Sequence, residues 1–482
     1  FRSVFSEVGQ LPEIVLNIGP RAWNSICLAV KTQGLRQNCA GSFGKRGAVV
    51  TGRLCGSGGL SRVLLQGLPG ILPGILSAWL GMGVCSPAVA QVPPAAEKNW
   101  HQWRGPFSNG SAAPDASPPI QLETGSSGSW SVELPGEGAS TPIVWDDQVF
   151  VLSAERTDRP AETPIQPHSD AKTQPPNVYY RYLVTSVDRR TGQVRWQQVA
   201  TEQLPHEGKH TTHTYAAASP TTDGKRLYVS FGSRGLYCYS LMGELLWQQD
   251  PGDMRTRFGW GEAVTPALAG ELLIVNWDAE EGSFIMALRA ETGELVWRRE
   301  RPGEVTSWNT PLITEVDGRL MAVVNGSGKA RAYLVADGTV VWECGGQTTN
   351  AIPSPLRFKE LAICMSGYRG AASFGIPLNS TGDVTGGQQI GWSFPEGTPY
   401  VPSPTLSGNR LYFTGNTGDI LTVLDATVGK PLAEKKRLSG VGNCYASPLA
   451  AGGHIYITGR EGTTVVLRDE ANRKSTRLNS RH

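Results

Sequence analysis

Thr265-Pro266-Ala267-Leu268 opens the stretch that decides the fold, and Glu291-Thr292-Gly293-Glu294-Leu295-Val296-Trp297 closes it. The first four residues read as a short strand entered by a proline, which a strand start tolerates. Residues 271–276 are rich in Leu, Ile and Val, as a strand buried on both faces should be, and 284–289 make a third strand. Gly293 supplies the positive φ that a tight hairpin needs. Residues 294–299 then return as an outer strand, with Trp297 on its buried side.

The same unit recurs along the chain. Pro142, Pro220, Pro266, Pro311, Pro355, Pro404 and Pro448 mark seven entries, and after a first gap of 78 the spacings are 46, 45, 44, 49 and 44 residues. Trp196, Trp247, Trp297, Trp342 and Trp392 follow at steps of 51, 50, 45 and 50. A period of about 40–50 residues, each unit holding several short strands, predicts an all-β propeller. Residues 130–134 read as a lone outer strand that needs partners from the far end of the chain. Seven units plus one split blade predict eight blades, the last incomplete if the repeats stop near residue 470. Two insertions interrupt the period, a polar one at 156–177, expected to be a solvated loop, and a Gly-rich one at 371–387.

The ends differ from the repeats. Of 44 Lys and Arg, eight lie in 1–90 and four in 471–482, leaving 32 basic against 40 acidic residues in between. Such an acidic body offers no electrostatic footprint for nucleic acid. Residues 62–90 read as a signal peptide: a basic flank at Arg53 and Arg62, an apolar run broken by Pro69 and Pro73, and Ala88-Val89-Ala90 as a cleavage site. The run is too interrupted for a membrane-spanning helix, and Val84 is too large for a lipid-anchor motif at Cys85. The expected organisation is an upstream or non-native segment at 1–61, the signal peptide at 62–90, an N-terminal arm at 91–129, the propeller at 130–470 and an adapter-derived tail at 471–482. After cleavage four cysteines remain, Cys238, Cys344, Cys364 and Cys444. Without a Cys-x-x-Cys pair they read as free thiols on strands.

Function is less legible. Tyr215, Trp260, Trp308, Asn309, Asn350, Tyr400, Asn443 and Tyr445 stand two to six residues before the marker prolines, where blade-entry loops ring the channel mouth. Aromatics and amides around one funnel suit a planar ligand, a glycan or a peptide; packing against each other is the competing reading. His206, His210 and His213 are the metal candidates, at a spacing that matches no standard zinc signature. Arg255 and Arg257 are candidates for a carboxylate clamp. Nothing in the sequence supplies the placed carboxylate pair or Ser-His-Asp set of a glycan-cleaving enzyme.

The string Ser186-Val187-Asp188-Arg189-Arg190-Thr191-Gly192-Gln193-Val194-Arg195-Trp196 resembles the tryptophan-docking repeat of quinoprotein alcohol dehydrogenases. Residues 287–297 match it again, with Arg289 where that family has Asp. The resemblance covers about residues 130–470 and is to a truncated member of the PQQ-binding-like β-propeller repeat family. It implies that Trp196, Trp247, Trp297, Trp342 and Trp392 wedge between blades. Asn99-Trp100-His101-Gln102-Trp103-Arg104-Gly105-Pro106 is similar to the start of exported proteins of this class. Such proteins include noncatalytic scaffolds, so repeat similarity does not carry an activity. The preferred expectation is an exported, periplasmic or envelope scaffold that binds a small ligand or another exported protein. The alternative is a PQQ-dependent dehydrogenase oxidising an alcohol or sugar. The family enzymes hold PQQ with Ca²⁺ beneath an adjacent Cys-Cys disulfide, and this chain has no Cys-Cys pair.

Overall fold

The computed structural model describes residues 94–120, 129–415, 418–433 and 435–469, with short strands at Ile14–Leu16, Ala29–Val30 and Leu478–Ser480. The signal-peptide reading at 62–90, Cys85 and most of the upstream and tail segments lie outside the described residues.

Seven antiparallel sheets follow one another along the chain. In the third, Ala267–Ala269, Leu272–Trp277, Phe284–Arg289 and Leu295–Glu300 run in simple sequence order from the axis outwards. Each expected strand is present there within a residue or two. Every neighbouring pair of sheets shares one apolar cluster, so the sheets form a ring. The first and seventh meet in the same way, through Val144, Val149 and Val151 against Leu449, Tyr456 and Val466. The protein is an all-β propeller.

The expected eighth blade is not met among the described residues. Three strands of the seventh, Leu449–Ala451, His454–Thr458 and Thr464–Arg468, fall in the repeat. Leu478–Ser480 pairs with the last of them as a fourth strand. The lone strand Trp130–Ser131 pairs with Ile14–Leu16. Its indole nonetheless rests on Gly192 of the first sheet and donates to Arg189 O at 2.8 Å, the contact an outer strand of the preceding blade makes.

That contact recurs. Trp196, Trp247, Trp297, Trp342 and Trp392 donate their Nε1–H to Leu241, Ala290, Val335, Leu378 and Ala426 carbonyls of the following blade, at 2.8–3.2 Å. Trp196 lies against Gly243, Trp247 against Gly293, Trp297 against Gly338 and Trp392 against Gly429. The glycine of one repeat is therefore the seat for the tryptophan of the repeat before it. Across the sheet, Trp196, Trp247, Trp297 and Trp342 face Ser186, Cys238, Ala287 and Ala332, residues small enough to leave room for an indole.

A second device ties the blades near the axis. The residue before each marker proline is Ser or Thr, and in five of the seven its hydroxyl accepts the backbone N–H of its counterpart one blade earlier. Thr141 N–H donates to Ser219 Oγ at 2.9 Å, Ser219 to Thr265 at 3.0 Å, Thr310 to Ser354 at 3.0 Å, Ser354 to Ser403 at 3.0 Å and Ser403 to Ser447 at 2.9 Å. The proline next in sequence has no N–H to offer, so the strand entry is pinned by its neighbour.

Two expectations about insertions change. The strands of the first sheet run long, Gln148–Pro160 and Val178–Asp188, and the loop between them is docked rather than free. Lys172 N–H donates to Phe258 O at 2.9 Å, Thr173 Oγ1 bonds Gly259 O, and Asp170 pairs with Arg255 at 2.7 Å. In the fifth sheet Ala372–Pro377 is itself the third strand, and Gly382–Asp383 joins the outer edge of the fourth sheet in parallel. The four cysteines among the described residues, Cys238, Cys344, Cys364 and Cys444, are buried free thiols. Cys444 sits in a loop, not on a strand, next to the mouth residue Tyr445. Among the described residues no helix is long and apolar enough to cross a membrane.

Candidate functional site

The inner strands share one direction, so the residues before the marker prolines ring one end of the channel. A cavity of about 760 Å³ occupies it. Of the eight residues expected at the funnel, Trp260, Trp308, Tyr400 and Tyr445 line this cavity. Trp260 lies 6.4 Å from Tyr368, which lies 4.9 Å from Tyr400, giving an aromatic wall along one side. Arg460 sits 4.7 Å from the Tyr445 ring at the rim.

The other four are elsewhere. Tyr215 turns back to pack on Tyr180 at 4.9 Å and donates to Glu207 O. Asn309 is buried, accepting from Asn325 N–H at 3.1 Å and donating to Ser307 Oγ at 3.0 Å. Asn350 is fully buried with φ of 57°. Asn443 is exposed, its carbonyl taken by Arg460 N–H at 3.0 Å. None of these amides lines the cavity, and Asn309 spends its side chain on the neighbouring strand.

The histidines separate as well. His210 and His213 line the cavity, and His206 faces a small neighbouring void beside Glu207 and Glu262. Each imidazole has a protein partner: His206 Nε2 with Met254 O at 2.8 Å, His210 Nδ1 with Thr212 Oγ1 at 2.8 Å, His213 Nε2 with Glu262 O at 2.9 Å. Burial pushes His213 down to about 4, so it is neutral. Arg255 is committed to Asp170 and Glu281. It cannot clamp a ligand with Arg257, which lies beside Phe258 at 5.2 Å.

The other end of the cavity is closed by the N-terminal arm. Trp100 O accepts Val144 N–H at 2.8 Å on the first sheet, and His101 O accepts Thr222 N–H at 3.0 Å on the second. Trp103 Nε1 donates to Ser354 Oγ at 3.2 Å on the fifth. Asn109 O accepts from Leu406 on the sixth sheet, and 110–112 pair with Ala450 on the seventh. Arg104, 5 % exposed, donates to Pro448 O at 3.2 Å, to Pro404 O and to Thr405 Oγ1 at 2.6 Å. Burial pushes its guanidinium down to about 9, still charged at neutral pH. Sequence reasoning quoted this arm but gave it no place in the site. Its one local signal is two tryptophans just before an arginine in a segment that precedes the repeats.

Among the described residues no aspartate or glutamate lines the cavity. A calcium–quinone centre asks for several hard oxygen ligands and a carboxylate base. Among the described residues no group of three His, Cys, Asp or Glu is placed to hold a metal ion. The side chains present do not fit that centre, and no catalytic step follows from them.

Fold and channel together define a β-propeller with a ligand-sized axial cavity. Residues 181–404 match the family described as "Outer membrane protein assembly factor BamB", so the chain carries PQQ-like propeller repeats. No curated protein matches the chain. Among solved structures, BamB from Moraxella catarrhalis is 16% identical, with a TM-score of 0.43 over 66% of this chain and 98% of that one. The quinohemoprotein alcohol dehydrogenase from Comamonas testosteroni is 13% identical, with a TM-score of 0.42 over 69% of this chain and 71% of that one. A europium-containing methanol dehydrogenase is 12% identical, with a TM-score of 0.43 over 77% and 90%.

Proposed function

We propose that the protein is an exported propeller scaffold whose axial cavity binds a ligand, without performing quinone-dependent oxidation. The observation that carries this reading is the cavity itself: aromatic at the mouth, sealed by the arm, and free of carboxylates along its wall. Concave sites of several hundred Å³ with aromatic walls and a few polar groups are the usual form of a ligand site. Export is supported by the signal-like segment at 62–90, and with it the division into arm at 91–129 and propeller at 130–470. The matched family description, an assembly factor, supports a binding role over a catalytic one.

Titrating the purified protein with PQQ and Ca²⁺, while following quinone absorbance and dye reduction with alcohols, tests the reading. No alcohol-dependent reduction of the dye is expected, whether or not the quinone occupies the cavity. Saturable binding with turnover would overturn it. Replacing Trp308, Tyr400 and Tyr445 together by Ala should remove ligand binding and leave the far-ultraviolet circular dichroism unchanged.

A further inference from the structure

Three features of the cavity point to one kind of ligand. The first is charge. Arg104 lies at the closed end with no carboxylate partner among the described residues; its acceptors are two proline carbonyls, Asn109 O and the Thr405 hydroxyl. A buried cation left without an anion is costly. Among the described residues the wall around it holds no acid, and the rim adds Arg460.

The second is the hydroxyl belt. Ser219, Thr265, Ser403 and Ser447 line the cavity, and each spends a lone pair on the N–H of the blade before it. Their own protons have no protein acceptor among the described residues. A hydroxyl held this way presents a donor, so the belt is a collar of donors just above the guanidinium. The third feature is the mouth, where Trp260, Tyr368 and Tyr400 line the cavity as one aromatic wall, Trp260 edge-to-face with Tyr368 and Tyr368 tilted on Tyr400.

Resting on the reading of this cavity as a ligand site, we infer that it takes a ring-bearing carboxylic acid, acid group innermost, on Arg104 and the hydroxyl collar. Uronic sugars and aromatic acids share that chemistry, the ring stacking at the mouth and the carboxylate accepting from the collar. No metal ion is required.

Calorimetric titration of the full protein with trigalacturonate, with its fully methyl-esterified form and with benzene-1,3,5-tricarboxylate tests this. At least one acid should bind saturably, at least tenfold tighter than the ester; which acid binds tells the sugar source from the aromatic one. Arg104→Gln should weaken the acid at least tenfold and leave the ester unchanged. Because Arg104 also ties Pro404 and Pro448, Arg460→Glu at the exposed rim is the second variant, expected to weaken the acid several-fold with no change in Tm. Equal affinity for acid and ester, or acid binding untouched in both variants, overturns the inference and leaves the cavity reading standing. No heat with any of the three probes overturns both.

Discussion

The indole of Trp247 lies so close over Gly293 that a Cβ there would stand 2.8 Å from two ring atoms, and Trp247 Nε1 donates to Ala290 O at 3.0 Å. Gly293 also has a φ of 75°, the left-handed region that side chains disfavour. Gly293→Ala therefore meets both a steric and a backbone penalty, about 2–4 kcal/mol together. Trp247→Ala should cost about 3–5 kcal/mol through the void it leaves. Urea unfolding of the two single variants and the double variant measures this. The double should fall well short of the sum, because the alanine at 293 has no ring to strike once the indole is gone.

Ser403→Ala removes the hydroxyl that accepts Ser354 N–H at 3.0 Å in a buried strand entry. An orphaned buried donor costs about 1–3 kcal/mol. Ser403→Thr keeps the oxygen and should restore most of the loss. Amide exchange at Ser354 is the sharper measurement: protection there should drop in the alanine variant and return in the threonine one.

Glu262 is pushed up to about 8, first by burial and then by the neighbouring Glu207, with the Ser233 amide opposing. Glu207 is likewise raised by burial, to about 7. In each case the folded protein holds the proton more tightly than the unfolded chain, whose carboxyl titrates near 4.5. Their contribution to stability is complete below that value and is lost as pH rises through 7 to 8. His213, lowered from 6.5 to about 4, acts oppositely, adding stability between those values. Two carboxyls outweigh one imidazole, so stability should fall gently from about pH 4.5 and more steeply above 6.5. Glu262→Gln should flatten it, by on the order of 1–3 kcal/mol at pH 8.5. A wild-type Tm that rises from pH 6.5 to 8.5 would contradict this assignment.

Asp170→Asn breaks the 2.7 Å pair with Arg255 that fastens the 161–177 loop over the Phe258 turn. The pair is partly exposed, so global stability should change by less than about 1 kcal/mol. Limited proteolysis should nonetheless cut within 161–177 several-fold faster, since the docking that remains is Lys172 and Thr173 on Phe258 and Gly259.

Periodicity carried the fold. Pro266, Gly293 and Trp297 each report a local requirement, a strand entry, a positive φ and a buried outer face, so their repetition could be read without coordinates. The partner of each was hidden. Gly293 serves Trp247, 46 residues earlier, and a local reading assigns it to its own hairpin alone. The site was half legible for the same reason. Trp260, Trp308, Tyr400 and Tyr445 reach the cavity because loop position and size suffice to aim a large ring. Tyr215 and Asn309 do not, because Tyr180 in one case and Asn325 in the other capture them. Arg104 was invisible because nothing local distinguishes an arginine that caps the carbonyls of residues 404 and 448 from one in water. The eighth blade was inferred from a lone segment at 130–134 and not from pairing, and pairing among the described residues gives seven blade sheets.

The arm that closes the channel floor is made first and seated last. Arg104 must wait for Pro448, 344 positions further on, before its cradle exists. Contacts of such long sequence separation form late and slow a folding reaction. The cation stays solvated until the seventh sheet forms, and only then leaves water. The arm thus acts as a latch on ring completion: amide protection at Ala112 and Ala450 should appear in the slowest refolding phase, with the blades already paired.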